Sequence, residues 1–266
     1  MDFADLMTKA DVIRKKLGED SNSPIDIFTL AQNIENLTLV YYPMGNNISG
    51  MCIKDNDGNC VIAINSLMTL GRQRFSLAHE FYHYYYDNNM MNICSKNVGS
   101  GEENEKKADA FAAYLLMPRT ALYEKVESLK GKTNNKLNLQ DIIKIEQYFK
   151  VSHQTTLYQL LNCRFITKNE FEQYMNVYVR REAELMGFDS DLYRPTIDSK
   201  QYYTYGKYLD LTKQMLDKGL ISDGKYEELL LDAFRADLVY GFDESGEVID
   251  WSIILRYRLY FSIFVG

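Results

Sequence analysis

The chain has 266 residues, of which 46% are hydrophobic and 25% are charged, as in an average globular protein. With only 15 glycines and 4 prolines it is neither collagen-like nor of low complexity, and its length indicates one or two domains. The net charge of −7 repels phosphate backbones, so a nucleic-acid binder of this composition would need a local basic patch.

Neither end of the sequence carries a typical targeting or membrane signal. Residues 1–10 show no basic region followed by an apolar core. The most apolar stretch, 251–266, is too short to span a bilayer and contains two arginines. It is compatible with a buried strand, an oligomer contact or an unusual chain end. The four cysteines form no CxxC pair, so we expect a reduced, cytoplasmic protein that does not enter a membrane.

The first 65 residues predict two helices and a small sheet. Residues 3–17 have a helical period, and Ser23-Pro24-Ile25-Asp26 starts a short helix that ends near Asn33. Residues 37–43 are rich in β-formers, and an Asp-Gly turn separates residues 48–54 from 60–64. We therefore predict a hairpin within a sheet of about three strands.

The rest of the chain predicts helices. Residues 68–87 form a long helical run, 88–103 a loop, and 187–204 a polar, turn-rich segment at a candidate boundary. The other predicted helices cover about 103–116, 119–129, 139–149, 153–162, a segment after the Thr167–Glu170 capping box, 205–218 and 223–239.

An HExxH motif, His79-Glu80-Phe81-Tyr82-His83, lies in the long helical run. Positions i and i+4 of a helix share one face, so both imidazoles can reach one metal ion. The neighbouring Glu80 can take a proton from a water that zinc has activated. The alternative is a pair of ordinary helix histidines, although the chain has only three histidines and two are in the motif.

A catalytic zinc requires a third protein ligand. Since His153 belongs to a different helix, we expect an acid from the start of the next helix, which carries Glu102, Glu103 and Glu105. Asp109 lies one turn after Glu105 and can accept a hydrogen bond from the outer nitrogen of His79 or His83. The alternative is a solvated acidic helix start, which explains Glu105 less well because it shares the side that carries Ala108 and Ala112.

Together these motifs resemble the ImmA/IrrE family of metallopeptidases. The resemblance covers roughly residues 5–165 and is far more specific than HExxH alone. It rests on Pro24-Ile25-Asp26-Ile27, Arg74-Phe75-Ser76-Leu77-Ala78-His79-Glu80-x-x-His83, and Glu105-x-x-Ala108-Asp109-x-Phe111-Ala112-Ala113-x-Leu115-Leu116-Met117-Pro118. One departure is Phe81-Tyr82, where the family often has Leu-Gly, so the pocket beside the metal helix is expected to differ in shape.

The resemblance implies an α+β fold in which a small sheet packs against a helical zincin-like core, followed by a mostly helical C-terminal region. It divides the chain into a peptidase domain, 1–165, and an extension, 166–266, expected to be regulatory or to bind a partner. It also implies one Zn²⁺ held by His79, His83 and Glu105, with Glu80 as the base. The implied partner is a separately encoded Xre-type repressor or antitoxin with a helix-turn-helix, in a mobile-element, toxin–antitoxin or stress-response circuit.

The expected mechanism is attack of an activated water on a peptide that adds a strand to the sheet edge. The oxyanion needs a further donor, for which Tyr82 and Tyr114 are candidates among several tyrosines. A second hypothesis is a metal-bound regulator that inactivates its partner by binding without proteolysis.

A third hypothesis is direct DNA binding, since residues 139–162 look like a helix-turn-helix. Its second helix has no Lys or Arg, so we expect no direct contact with nucleic acid. His153 is predicted to be a surface residue at a helix start. Cys52 and Cys60 are expected to face each other across the hairpin as free thiols. Cys94, in the predicted loop, is a candidate to occupy the open zinc position in a latent form.

Overall fold

The computed structural model describes residues 2–45, 47–87, 91–95, 103–130, 136–197 and 200–241. The apolar tail 251–266 and Glu102, both considered above, lie outside these residues. Twelve α-helices fall within the described part of the chain: α1 (Phe3–Lys16), α2 (Ile27–Gln32), α3 (Leu70–Tyr86), α4 (Glu103–Leu116), α5 (Arg119–Lys130), α6 (Leu139–Phe149), α7 (His153–Asn162), α8 (Lys168–Met175), α9 (Val179–Leu185), α10 (Lys207–Asp217), α11 (Asp223–Asp232) and α12 (Ala236–Tyr240).

Local capping signals set several helix starts where the sequence predicts them. Asn138 and Asp141 form a capping box at the start of α6, and Thr167 and Glu170 form another at α8. The Ser152 hydroxyl accepts the Thr155 amide at the start of α7. The predicted helices of this region are therefore confirmed.

The sheet has five strands within the described residues, in the order β4-β2-β3-β1-β5. The strands are β1 (Leu37–Tyr42), β2 (Ile48–Lys54), β3 (Cys60–Asn65), β4 (Met91–Ser95) and β5 (Tyr203–Gly206). The predicted hairpin is confirmed, because β2 and β3 pair antiparallel, while β1 runs parallel to β3. The α+β class is thus confirmed, but the sheet is larger than the predicted three strands.

The first additional strand, β4, corrects the prediction of a loop over 88–103 at residues 91–95, whereas residues 88–90 and 96–102 lie outside the described part of the chain. It pairs antiparallel with β2, with a shift in register between Ile48 and Gly50. No alternating pattern marks this polar segment, so its extended form is set by the backbone groups that β2 offers at its edge.

The second additional strand, β5, was not predicted: it covers the end of the turn-rich segment 187–204 and the start of the helix expected from about 205, which begins at Lys207 instead. It pairs antiparallel with β1, matching Thr38 with Gly206. The backbone of Gly206 has a φ of +87°, and a Cβ there would overlap the carbonyl oxygen of Leu37. Only glycine therefore allows this close approach. A strand from the region after 166 thus completes the sheet, and the division into two domains stays a prediction.

The core lies between the sheet and the helices that follow it. Helix α3 packs against β2 and β3 on one side and against α4 on the other, and its central residues 73–83 are almost all buried. Because α4 presents Ala108 and Ala112 among its buried residues, the two helices can approach closely. This packing places the middle of α3 inside the molecule.

Two buried arginines join separate elements through backbone carbonyls. Arg14 of α1 donates to the carbonyls of Asp20, at 2.7 Å, and Leu115, at 2.6 Å. Arg74 of α3 donates to the carbonyl of Lys150, at 2.8 Å. Each guanidinium satisfies acceptors that would otherwise be buried without a partner, so Arg14 ties α1 to α4 and Arg74 ties α3 to the end of α6.

His153 corrects the prediction of a surface residue. Only 9% of it is exposed, and its Nδ1 lies 2.6 Å from Oε1 of the buried Glu146 on α6. Its Nε2 contacts the carbonyl oxygen of Tyr174 at 2.9 Å. Ser152 caps the helix as predicted, but α7 turns its first residue inward against α6.

The prediction for Cys52 and Cys60 is confirmed: their Sγ atoms lie 3.4 Å apart and both are free thiols. No helix in the described part of the chain combines the length and apolar character that crossing a bilayer requires.

Candidate metal centre

The structure brings His79, His83 and Glu105 together. The two histidines lie one turn apart on α3, as the HExxH spacing requires, and both are buried. Glu105 lies in the first turn of α4, which packs against α3. The His79 Nε2–His83 Nε2 distance is 3.2 Å, and the Glu105 oxygens lie 3.2 Å from His79 Nε2 and 3.3 Å from His83 Nε2.

These separations match those of ligands around zinc. With ligand bonds of about 2.0–2.1 Å, two corners of a tetrahedron lie about 3.3 Å apart. The three donor pairs in the structure are separated by 3.2–3.3 Å. The side chains present therefore fit three ligands of one small cation.

The outer nitrogens of both rings contact carboxylates. His79 Nδ1 lies 2.9 Å from Asp109 Oδ1, and His83 Nδ1 lies 3.0 Å from Asp87 Oδ2. Each Nδ1 can thus carry the ring proton, which leaves both Nε2 lone pairs directed at one point beside the Glu105 carboxylate. Converging lone pairs and a carboxylate repel one another unless a cation lies among them, so the arrangement itself favours a metal.

The electrostatics of the cluster agree with this geometry. Burial opposes charge on His79, but hydrogen bonds to Asp109 and Glu105 outweigh it and raise the pKa of His79 to about 9. Hydrogen bonds to His79 and His83 hold the pKa of Glu105 well below its usual range. The pocket therefore favours positive charge at its centre.

Asp87, which was not predicted from the sequence, orients the imidazole of His83. It ends α3 four residues after His83, and its carboxylate also accepts a hydrogen bond from Asn104 Nδ2 at 2.6 Å. Lys54 donates to the backbone carbonyls of His83, at 2.9 Å, and Asp87. The i, i+4 spacing that pairs His79 with His83 also pairs His83 with Asp87, so this signal was present in the sequence.

Glu80 lies beside the ligand group and is fully buried. Neither of its carboxylate oxygens makes a hydrogen bond to another described residue. Burial raises the pKa of Glu80, although His79 and His83 act in the opposite direction. A buried carboxylate whose pKa is raised is a stronger base than one in water, as general-base chemistry requires.

Cys94 is the fourth residue of the cluster. Its Sγ and one ligand atom each from His79, His83 and Glu105 all lie within 4.8 Å of one another. Cys94, predicted to lie in a loop, lies on β4, where only 1% of it is exposed.

The two tyrosines suggested as oxyanion donors lie elsewhere. The Tyr82 hydroxyl donates to Asn104 Oδ1 at 3.3 Å, and its ring packs against Tyr86 and Phe111. Tyr114 lies nine residues after Glu105 on α4, about 13 Å along the helix axis. The structure thus gives neither hydroxyl a place at the centre.

Fold and site together define a metallopeptidase: a small mixed sheet, an HExxH helix beside it, and an acid from the following helix. A family model described as Peptidase_M78, IrrE N-terminal-like domain, matches residues 24–161, which is more than half of the chain. The chain therefore belongs to this family of peptidases. A search of curated proteins finds no match to it.

Proposed function

We propose that the chain is a zinc-dependent endopeptidase that cleaves a separately encoded repressor or antitoxin of helix-turn-helix type. The observation that carries the proposal is the convergence of three donors, spaced as zinc ligands are, beside a buried carboxylate without a hydrogen-bond partner. Membership of the peptidase family supports hydrolysis of a peptide bond.

Each residue of the centre would have its own role in the reaction. His79, His83 and Glu105 would hold the ion, while Asp109 and Asp87 keep the two imidazoles in the tautomer that binds metal. A bound Zn²⁺ lowers the pKa of water and polarises a carbonyl. The buried Glu80 would take the water's proton and pass it to the leaving amine.

The edge strand β4 supplies a path for the substrate. Within the described residues it pairs with β2 alone, and it carries Cys94 next to the ligand group. A peptide that adds to the outer side of β4 would run alongside the centre, with its backbone fixed by ladder hydrogen bonds. A helix-turn-helix protein would have to present such a segment from a loop or linker between its helices.

The proposed compartment is the cytoplasm, and the proposed partner is a protein. Cys52 and Cys60 stay free thiols although their sulfurs are 3.4 Å apart, which is compatible with a reducing environment. We propose no direct contact with nucleic acid, since α7 has no Lys or Arg.

The test compares new protein N-termini in host cells that express the wild type, Glu80→Gln or Glu124→Gln. Glu124 is exposed on α5, so its variant is a matched control for the change of charge. We expect termini that appear with the wild type and Glu124→Gln but not with Glu80→Gln, because the amide cannot accept the proton. Zinc content should be equal in all three proteins.

Identical N-termini in wild-type and Glu80→Gln cells would contradict the peptidase. The second candidate function, a metal-bound regulator that acts by binding, would then account for the chain. Cys94 favours this second candidate, because a fourth protein donor at a zinc site is typical of closed, non-catalytic centres. A pull-down of the partner with the wild type and with Glu80→Gln distinguishes the two: intact partner recovered with both supports binding alone, and intact partner recovered only with Glu80→Gln supports cleavage.

A further inference from the structure

Cys94 is buried in a position that the pairing of the sheet fixes. It lies opposite Gly50 in the antiparallel ladder between β4 and β2. The register shifts between Ile48 and Gly50, so one extra residue of β2 is accommodated next to this pair. Irregular pairing of this kind re-aims the neighbouring side chains.

The missing side chain of Gly50 opens the sheet surface at this point. A Cβ on Gly50 would lie 2.8 Å from Oε1 of Glu80, so the glycine faces the HExxH helix directly. Residues directly opposite in an antiparallel pair direct their side chains to the same face of the sheet. The thiol of Cys94 therefore faces the same helix, across the space that Gly50 leaves free.

Three further donors lie on the other side of that space. Sγ of Cys94 is within 4.8 Å of ligand atoms of His79, His83 and Glu105. Thiolate and imidazole are the strongest protein ligands of zinc, and a carboxylate completes a set that zinc accepts. Glu80 borders the same space, since a Cβ on Gly50 would meet its Oε1, so a buried carboxylate also faces this region.

We propose that Cys94 is the fourth protein ligand of the metal and holds the loaded centre in a closed, latent state. Catalytic zinc sites keep one position open, whereas four protein ligands close the tetrahedron. Cleavage would then require Cys94 to leave the metal, by movement of its side chain or of the edge strand that carries it. Latency rests on the proposed function, but ligation by Cys94 does not.

Ligation is tested with cobalt. The wild type, Cys94→Ala and Cys52→Ala are each loaded with Co²⁺, and their near-ultraviolet spectra are recorded. A thiolate bound to Co²⁺ gives an intense charge-transfer band, which imidazole and carboxylate do not. We expect the band in the wild type and in Cys52→Ala, whose buried thiol on β2 is not among the grouped ligand atoms, and its loss in Cys94→Ala.

A wild type that shows the visible bands of bound Co²⁺ without the charge-transfer band overturns the proposal. So does a band of equal intensity in Cys94→Ala. If Cys94→Ala fails to fold, X-ray absorption at the zinc edge of the wild type alone decides, since a sulfur ligand lies about 2.3 Å from zinc and nitrogen about 2.0–2.1 Å. We also expect zinc affinity in Cys94→Ser to fall by at least the roughly 10–100-fold that the loss of an outer hydrogen-bond partner produces.

Latency is tested by counting new N-termini in cells that express the wild type, Cys94→Ala or Cys52→Ala. More cleavage with Cys94→Ala than with the other two supports a closed resting state. If the cobalt band or X-ray absorption shows sulfur bound to the metal, and all three proteins cleave equally, latency is overturned. Cleavage by the wild type without a sulfur signal overturns the further inference and leaves the peptidase intact. Bound sulfur with no cleavage by any variant supports ligation by Cys94, overturns latency and counts against the peptidase.

Discussion

Each imidazole of the ligand pair is oriented by a carboxylate at its outer nitrogen, and the two carboxylates come from different elements. Asp109 lies on α4, one turn beyond Glu105, whereas Asp87 lies at the end of α3 itself. Both contacts, at 2.9 Å and 3.0 Å, direct Nε2 at the metal position. The two carboxylates therefore orient the imidazoles for metal binding even without a bound ion.

We expect Asp87→Asn and Asp109→Asn each to lower zinc affinity by about 10–100-fold, because the ring loses the anion that fixes its tautomer. Competition with a chromogenic chelator measures the affinity. Asp57→Asn, in the exposed turn between β2 and β3, is the control and should bind as the wild type does. Unchanged affinity in both variants would mean that the rings are held by packing alone.

Most of the residues at the centre can be predicted from the sequence, because helical spacing places them. His79, Glu80 and His83 follow from one helical face, and Glu105 and Asp109 from the next helix. The position of Cys94 cannot be predicted in this way. It depends on a strand that forms only because β2 offers an edge, and on Gly50 opposite.

At the scale of elements, a buried polar network joins α6, α7 and α8. His153 contacts the Glu146 carboxylate through Nδ1 and the Tyr174 carbonyl through Nε2, so both ring nitrogens meet acceptors. Tyr193 donates to the second oxygen of Glu146 at 2.9 Å. The imidazolium form alone can donate to both partners. Burial works against that charge, but the bond to Glu146 outweighs it and the pKa of His153 is raised above 6.5.

We expect His153→Gln to lower the free energy of unfolding by about 3–5 kcal/mol near pH 6, because the buried Glu146 loses its positively charged partner and keeps only the hydrogen bond from Tyr193. A raised pKa in the folded state gives stability that is complete below pH 6.5 and lost as the pH rises through the folded value. The difference in unfolding free energy from the wild type should therefore shrink as the pH rises above 6.5 and the folded protein loses the His153 proton. Urea unfolding across this range measures it, and Gln154→Ala, exposed on α7, is the control. If the difference in unfolding free energy does not change with pH, His153 is not charged in the folded protein.

Elements with local signals are the ones that the sequence predicts. The capping boxes at Asn138 and Thr167 and the turn between β2 and β3 involve neighbours in the chain. Strands β4 and β5 lack such signals, since each adopts its extended form by pairing with a strand distant in sequence. The inward turn of His153 likewise depends on Glu146 across a helix boundary.

Over the whole molecule, β5 joins the region after residue 166 to the sheet. Besides the ladder with β1, the Tyr208 amide donates to the Thr38 hydroxyl at 3.0 Å. The close approach at Gly206 makes this junction sensitive to a single methyl group. Loss of the junction would expose the outer edge of β1.

We expect Gly206→Ala to separate β5 from β1 and to destabilise the fold, since the new Cβ would overlap the Leu37 carbonyl oxygen and the residue would keep a positive φ. Hydrogen exchange should rise at the amides of β1 and β5 and change little in α3 and α4. Gly224→Ala, where nothing lies within 4 Å, should exchange as the wild type does. Unchanged exchange in β1 would show that the sheet tolerates the methyl group.

The pairing of β1 with β5 also sets an order of events during synthesis. The chain emerges with β1, β2 and β3 long before Tyr203–Gly206 leaves the ribosome. During that interval the nascent sheet has an uncovered edge at β1, which another nascent chain can pair with. Contacts so distant in sequence form late and slowly. The translation rate between β3 and β5 should therefore decide how much of this protein reaches its native state.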